Sequence, residues 1–185
     1  FFFFTFSTDQ QHVLQKIMLY SRLFKSNMAL KRMVQQRGIK TNDMAPSAVV
    51  DIVEPVNGEF KVVNAQDFGD ILKKHKRAVV FALPGAFTPI CSEKHLPGFI
   101  EKAAQLRAKG VEAIYCLSWN DYFVMKAWGK STSGLMESGI KLVADGNGDL
   151  TRALDMEIDL SGGRLGKRCA RFASVVENGV FKSVE

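Results

Sequence analysis

The stretch "VVFALPGAFTPICSEKH" (residues 79–95) decides how the rest of the chain is read. It opens on an unbroken apolar run, the pattern of a strand buried on both faces of a sheet. Pro84 and Gly85 stop that run, and Thr88-Pro89 starts a helix. Threonine suits the N-cap and proline the first helical position, which places Cys91 in the first turn. Ligands of open α/β sheets gather outside the carboxyl ends of the strands, and the free N–H groups of a helix start favour an anion. A thiolate held there is a nucleophile. Gly85 is expected to let the backbone approach a ligand, and Pro97, which lacks an N–H, to kink the helix one turn on.

Outward from this stretch, apolar strands alternate with helices. "SAVVDIVE" (47–54) and "EFKVV" (59–63) flank Asn57-Gly58, a hairpin turn signal. The pattern predicts a helix over 64–74, a strand over 78–84 and a helix over 92–109 that ends at Lys109-Gly110. A strand over 111–117, a helix capped by Asp121, a strand over 140–145 and a short helix over 149–155 follow. Strands 171–177 and 180–185 close the chain around Asn178-Gly179. The order β-β-α-β-α-β-α-β-α-β-β predicts an α/β protein with a central mixed sheet flanked by helices, and it suits an elaborated thioredoxin-like fold. Because the chain closes on a strand pair, a C-terminal helix is expected to be absent from it.

Charge divides the chain in two. Among the 185 residues, seven basic and no acidic side chains fall between Gln10 and Asn42 (Lys16, Arg22, Lys25, Lys31, Arg32, Arg37 and Lys40), and the remainder from Asp43 is neutral. We therefore expect one domain over 43–185 and a leader over 1–42. Leu19, Leu23, Leu30 and Val34 share a helical face away from Arg22, Lys25 and Arg32. That is the pattern of a presequence for a mitochondrion or related organelle; a solvated basic tail in a cytoplasmic protein is the alternative. "FFFFTFSTDQQ" resembles neither a start nor a domain edge, so Met18 is a candidate start. The neutral domain speaks against nucleic acid, and no apolar run is long enough to span a membrane. Three cysteines without CxxC suggest neither a disulfide framework nor zinc, and nothing calls for a metal or cofactor.

"PGAFTPICSEKHLPG" (84–98) closely resembles the active-site motif of peroxiredoxins, PxxxTxxC, in its type II (peroxiredoxin-5-like) form, PGAFTPxCSxxHLPG. This is a family of the alkyl hydroperoxide reductase / thiol-specific antioxidant superfamily. The resemblance runs on through "GVEAIYCLSWNDYFVMKAW" (110–128), "LVADGNGDLTRALDM" (142–156) and "RFASVVENG" (171–179). Trp119, Leu150 and Asp155 depart from it, standing where the family usually has a small apolar residue, Phe and Gly.

The resemblance implies a thiol-dependent peroxidase that acts on hydrogen peroxide and organic hydroperoxides. Cys91 would be the peroxidatic nucleophile. Thr88 would hydrogen-bond thiolate and peroxide, Pro84 would shield the sulfur from water, and Arg171 would stabilise the charge. Arg168 would point to the opposite face if strand 170–177 were regular. His95, one turn beyond Cys91, would orient the first turn or a neighbouring subunit, or serve only as a partly buried helix residue. Asn120 and Asp121 read as helix caps. Cys116 is either a resolving cysteine or a core residue, and Cys169 is assigned no role. The reductant would be thioredoxin, glutaredoxin or glutathione. A homodimer would form through the active-site edge, with the Trp119–Tyr122 aromatics in the interface. Two other classes are weaker. A thiol-disulfide oxidoreductase usually needs CxxC, whereas "SEK" follows Cys91, and a non-catalytic interaction module has no need of Thr88, Cys91 and Arg171 together.

Overall fold

The computed structural model describes residues 38–185. Nine strands follow in chain order: β1 (Val49–Val56), β2 (Glu59–Asp67), β3 (Ala78–Leu83), β4 (Ala113–Ser118), β5 (Lys141–Ala144), β6 (Glu157–Asp159), β7 (Lys167–Cys169), β8 (Phe172–Glu177) and β9 (Val180–Val184). Seven of them form one sheet in the order β2-β1-β5-β4-β3-β8-β9, and β6 and β7 form a separate ribbon. β3, β4 and β5 run parallel to their neighbours in that group, and the remaining pairs are antiparallel. The mixed sheet expected from the element order is therefore present. Helices α1 (Phe68–Lys73), α2 (Leu96–Ala108), α3 (Tyr122–Ser131), α4 (Leu135–Ser138) and α5 (Asp149–Ala153) flank it.

β3 shows why an unbroken apolar run is needed at the centre. Val79, Phe81 and Leu83 pack on one face with Leu96, Phe99, Leu106, Met125 and Trp128. Ala78, Val80 and Ala82 pack on the other with Phe68, Leu72, Leu150 and Phe172. Every residue of β3 and of β4 is buried, as period-2 geometry demands of a strand covered on both sides. The two Asn-Gly turns close as expected, with positive φ at both residues of each pair: 53° and 80° at Asn57-Gly58, 49° and 80° at Asn178-Gly179.

Several expectations need correction. Residues 64–67 do not open a helix. They continue β2 around a bulge, where Asp51 accepts from the Asn64 side chain and the Ala65 N–H, and Asp67 is the residue that caps α1. The short helix α4 and the ribbon β6–β7 escaped the sequence reading. The helix expected over 92–109 begins as a π-helical turn, Cys91–His95, in which the Leu96 N–H reaches back to the Cys91 carbonyl. Pro97 cannot donate to the carbonyl four residues before it, so this end of the helix departs from α geometry by widening its turn. Of the leader, residues 1–37 lie outside the described residues, and the presequence pattern falls there. Residues next to it are packed: the Ile39 N–H donates to the Leu154 carbonyl at 3.1 Å, and Met44 pairs with Val180. Among the described residues, no helix is long and apolar enough to cross a membrane.

Candidate active site

β3 ends at Leu83, opposite Ser118 at the end of the parallel strand β4. The loop 84–88 leaves this edge and feeds the helix start that carries Cys91. Cys91 is 1% exposed, packed in the apolar layer with Leu96, Phe99 and Cys116. Thr88 begins the turn, as the Ser92 N–H donates to its carbonyl at 3.0 Å. Its hydroxyl donates to the Gly85 carbonyl at 2.8 Å. That corrects the expectation that it donates to the sulfur: its one hydrogen is engaged, and the oxygen is left as an acceptor, which suits a hydroperoxide O–H.

Arg171 sits in the gap between β7 and β8. One guanidinium nitrogen, Nη2, donates to Cys91 Sγ at 3.2 Å, and the other, Nη1, to His95 Nδ1 at 2.5 Å. The fork thus spans sulfur and imidazole. His95 is buried and flanked by Phe81 and Phe99, both edge-on to its ring with centroids 5.5 Å away. Burial, and then the charge of Arg171, lower its pKa from 6.5 to about 3. At neutral pH it is the uncharged tautomer with Nδ1 free to accept. None of the roles expected for His95 includes this contact: it is buried, and its Nδ1 holds one arm of Arg171.

Arg168 does not point away. The regular strand 170–177 on which that expectation rested is absent: β7 stops at Cys169, and the Ala170 N–H turns to the Met156 carbonyl at 2.7 Å. Arg168 reaches the same loop from β7, donating to the Pro84 carbonyl at 3.4 Å and to the Leu165 carbonyl at 2.8 Å. A Cβ at Gly85 would lie 3.0 Å from its Nη1 and 3.2 Å from Thr88 Cγ2. A side chain at Gly85 would therefore press on Arg168 and Thr88, which would have to give by a few tenths of an ångström.

The loop bears strain at Phe87, whose φ is 61° although it is not glycine. Such conformations cost about 1–3 kcal/mol and cluster at functional sites. Asn120 faces this loop as well. Asp121 alone caps α3, accepting from the Val124 N–H at 2.9 Å, while Asn120 Oδ1 accepts from the Ala86 N–H at 3.0 Å. The sequence reading gave Asn120 only a capping role and turned Arg168 away from the site. The signal for the first was a second capping-type residue where one sufficed.

The other cysteines differ in setting. Cys116 lies in β4, fully buried; burial first, then the neighbouring Cys91, push its thiol well up. Cys169 lies on the opposite face, and burial pushes its thiol up to about 12. Among the described residues, no three His, Cys, Asp or Glu side chains cluster as a metal site would require.

A cysteine sulfur beside a fixed guanidinium, under a loop whose threonine oxygen can accept, is equipped to attack an electrophilic oxygen. A family model described as Redoxin matches residues 40–185. The chain is 49% identical over 146 residues to Peroxiredoxin-2E-2, chloroplastic, from rice, covering 78% of this chain but only 63% of that protein. It is 45% identical over 140 residues to Arabidopsis Peroxiredoxin-2B, covering 73% of this chain and 84% of the relative. Among solved structures, reduced Prx3 from Vibrio vulnificus in complex with H2O2 superposes with a TM-score of 0.66 at 38% identity, covering 80% of this chain and 87% of that one. Peroxiredoxin 5 from Alvinella pompejana gives 0.64 at 31% identity, covering 80% and 88%. The chain belongs to the redoxin family and, within it, to the peroxiredoxins.

Proposed function

We propose that this chain is a thiol-dependent peroxidase of antioxidant defence, reducing hydrogen peroxide and organic hydroperoxides at Cys91. The observation that carries the reading is the Arg171 guanidinium 3.2 Å from Cys91 Sγ, with its other arm held by His95. The Cys91 thiolate attacks the terminal oxygen of ROOH. A sulfur–oxygen bond forms as the O–O bond breaks, and RO⁻ leaves with the electron pair and takes up a proton to become ROH. Cys91 is left as a sulfenic acid. Arg171 stabilises the negative charge as it moves from sulfur to the departing oxygen, Thr88 accepts the peroxide O–H, and Pro84 walls the sulfur from water. The Vibrio relative was solved with H2O2, which supports that substrate.

A reductant thiol then condenses with the sulfenic acid, releasing water and leaving a mixed disulfide. A second thiol displaces Cys91 and departs as a disulfide with the first. Cys116 is fixed in the ladder of β4 while Cys91 is held in a folded helical turn, so in this conformation an external thiol serves as reductant: thioredoxin, glutaredoxin or glutathione. An internal Cys91–Cys116 disulfide would require the first turn to unwind.

The same edge suits a homodimer. Trp119 packs its ring against Gly148 and under the Arg152 guanidinium, 5.2 Å from the ring centroid, and is partly buried within this chain. Phe87, Ile90 and Phe123 are more exposed apolar side chains at this edge and suit the centre of such an interface. For location, the basic leader supports an organelle, and the chloroplastic names of the rice 2E-2 and Arabidopsis 2E relatives favour a plastid over the mitochondrion.

The test is hydroperoxide consumption by the purified chain with a dithiol donor. Wild type should consume peroxide catalytically and Cys91→Ser should not. Equal rates for the two would overturn the reading.

A further inference from the structure

We infer that Asn120 is a positioning residue for the peroxide reaction: by holding the Ala86 amide it fixes the strained loop that presents Pro84 and Thr88 to a peroxide at Cys91. This deepens the peroxidase reading and rests on it. Phe87 keeps a φ of 61° that only glycine adopts freely, yet its side chain is 55% exposed, so packing does not impose that backbone. A strained residue persists only where its surroundings over-determine it. The N–H directly before Phe87 belongs to Ala86 and donates to Asn120 Oδ1 at 3.0 Å. The same oxygen accepts the Ser118 hydroxyl at 2.8 Å, and Ser118 is fully buried at the end of β4. The height of the loop above the sheet is thus referenced to the strand end beside β3. Within the loop, the Thr88 hydroxyl and N–H both return to the Gly85 carbonyl, so a shift at Ala86 is carried to Thr88. The bonds of Asn120 run to Ala86 and Ser118 and not to Cys91, so it acts through the loop.

Two rates of the reduced full chain separate this role from a structural one: oxidation by hydrogen peroxide in stopped flow, and alkylation by iodoacetamide. Peroxide needs an aligned O–O bond, whereas iodoacetamide needs only the thiolate. Asn120→Ala should lower the peroxide rate by about tenfold to a hundredfold, since misplacement of about 1 Å can cost that much, and leave alkylation little changed. Asn120→Asp keeps the acceptor oxygen and should restore most of the ratio between the two rates. An unchanged ratio in Asn120→Ala, or no recovery in Asn120→Asp, overturns the assignment. If Asn120→Ala does not fold, Ser118→Ala, which frees the amide to rotate, must lower the same ratio, and an unchanged ratio there overturns it equally. A wild-type chain that reacts no faster with peroxide than with iodoacetamide defeats the peroxidase reading itself. A fast wild type with unaffected variants defeats only the role of Asn120.

Discussion

Cys91 and Cys169 occupy opposite faces of one sheet and are equally hidden, at 1% and 0% exposure. What surrounds them differs in sign. Arg171 stands 3.2 Å from the Cys91 sulfur. Near Cys169 the charged neighbour is Asp145, which adds to the effect of burial against the hydroxyl of Thr151. One sulfur lies under a strained loop at the strand ends, the other in a ribbon stacked on the sheet. If Cys91 is the reactive thiol we propose, burial cannot be what separates it from Cys169. The feature that does differ is the fixed cation, Arg171, beside the Cys91 sulfur.

The bluntest way to break this contrast is to delete each sulfur in turn. Cys91→Ser should reduce peroxide consumption to that of the reductant alone, whereas Cys169→Ala should leave the rate unchanged. A large loss of rate in a folded Cys169→Ala chain would show that the two faces are coupled. Arg171 comes next. Arg171→Ala should cost about a hundredfold to a thousandfold in the rate of Cys91 oxidation, the scale for removing one donor aimed at developing negative charge. Arg171→Lys keeps the charge without the fork that bridges sulfur and His95, so it should recover only part of that loss. Stopped-flow oxidation measures both, and full activity in Arg171→Lys would mean that charge alone suffices.

On the other face, Asp145 should matter for stability and not for rate. Its carboxylate is buried and accepts three bonds: from the Leu150 N–H at 3.1 Å, the Thr151 N–H at 2.7 Å and the Thr151 hydroxyl at 2.6 Å. Asp145→Asn turns one acceptor oxygen into a donor facing a donor. Urea unfolding should show a loss of about 2–3 kcal/mol, with peroxide oxidation of Cys91 little altered.

How much of this was legible depends on how far apart in sequence the partners lie. The run 78–83, the Thr88-Pro89 helix start and both Asn-Gly turns are local patterns and read correctly, whereas the local reading of 64–67 as helix failed because pairing with β1 overrides it. Even a departure from the family kept its backbone: Asp155 has a φ of 52°, as the usual glycine there would allow. Cys91 and Arg171, 80 residues apart, could be paired only through the resemblance, not from periodicity. Asn120 and Ala86 are 34 residues apart, and of the two residues read locally as caps only Asp121 is one. The strands of the β6–β7 ribbon are three residues each, too short to show alternation, and without the ribbon the break before Arg171 could not be seen. That break lets Arg168 reach the loop at Pro84 while Arg171 reaches Cys91 and His95 in the helix start beyond it.

The smallest expected effect concerns His95, where the reactive face can be probed by pH. Its pKa falls to about 3 in the fold, through burial and then Arg171, against 6.5 when exposed. The unfolded chain therefore binds more protons between those values, and stability rises with pH across that window. Read downward, stability is lost as the pH falls from about 6.5 toward 3, reaching roughly 2 kcal/mol by about pH 5. A proton on Nδ1 would also replace the acceptor that Arg171 uses with a second positive charge. His95→Gln retains an acceptor and does not titrate. The variant should therefore lose less stability than wild type between neutral pH and pH 5, with carboxylates common to both cancelling in the difference. Urea unfolding of the two chains at matched pH values measures it. Parallel curves would show that His95 is not held neutral, and Arg171 would then need another anchor beside the sulfur.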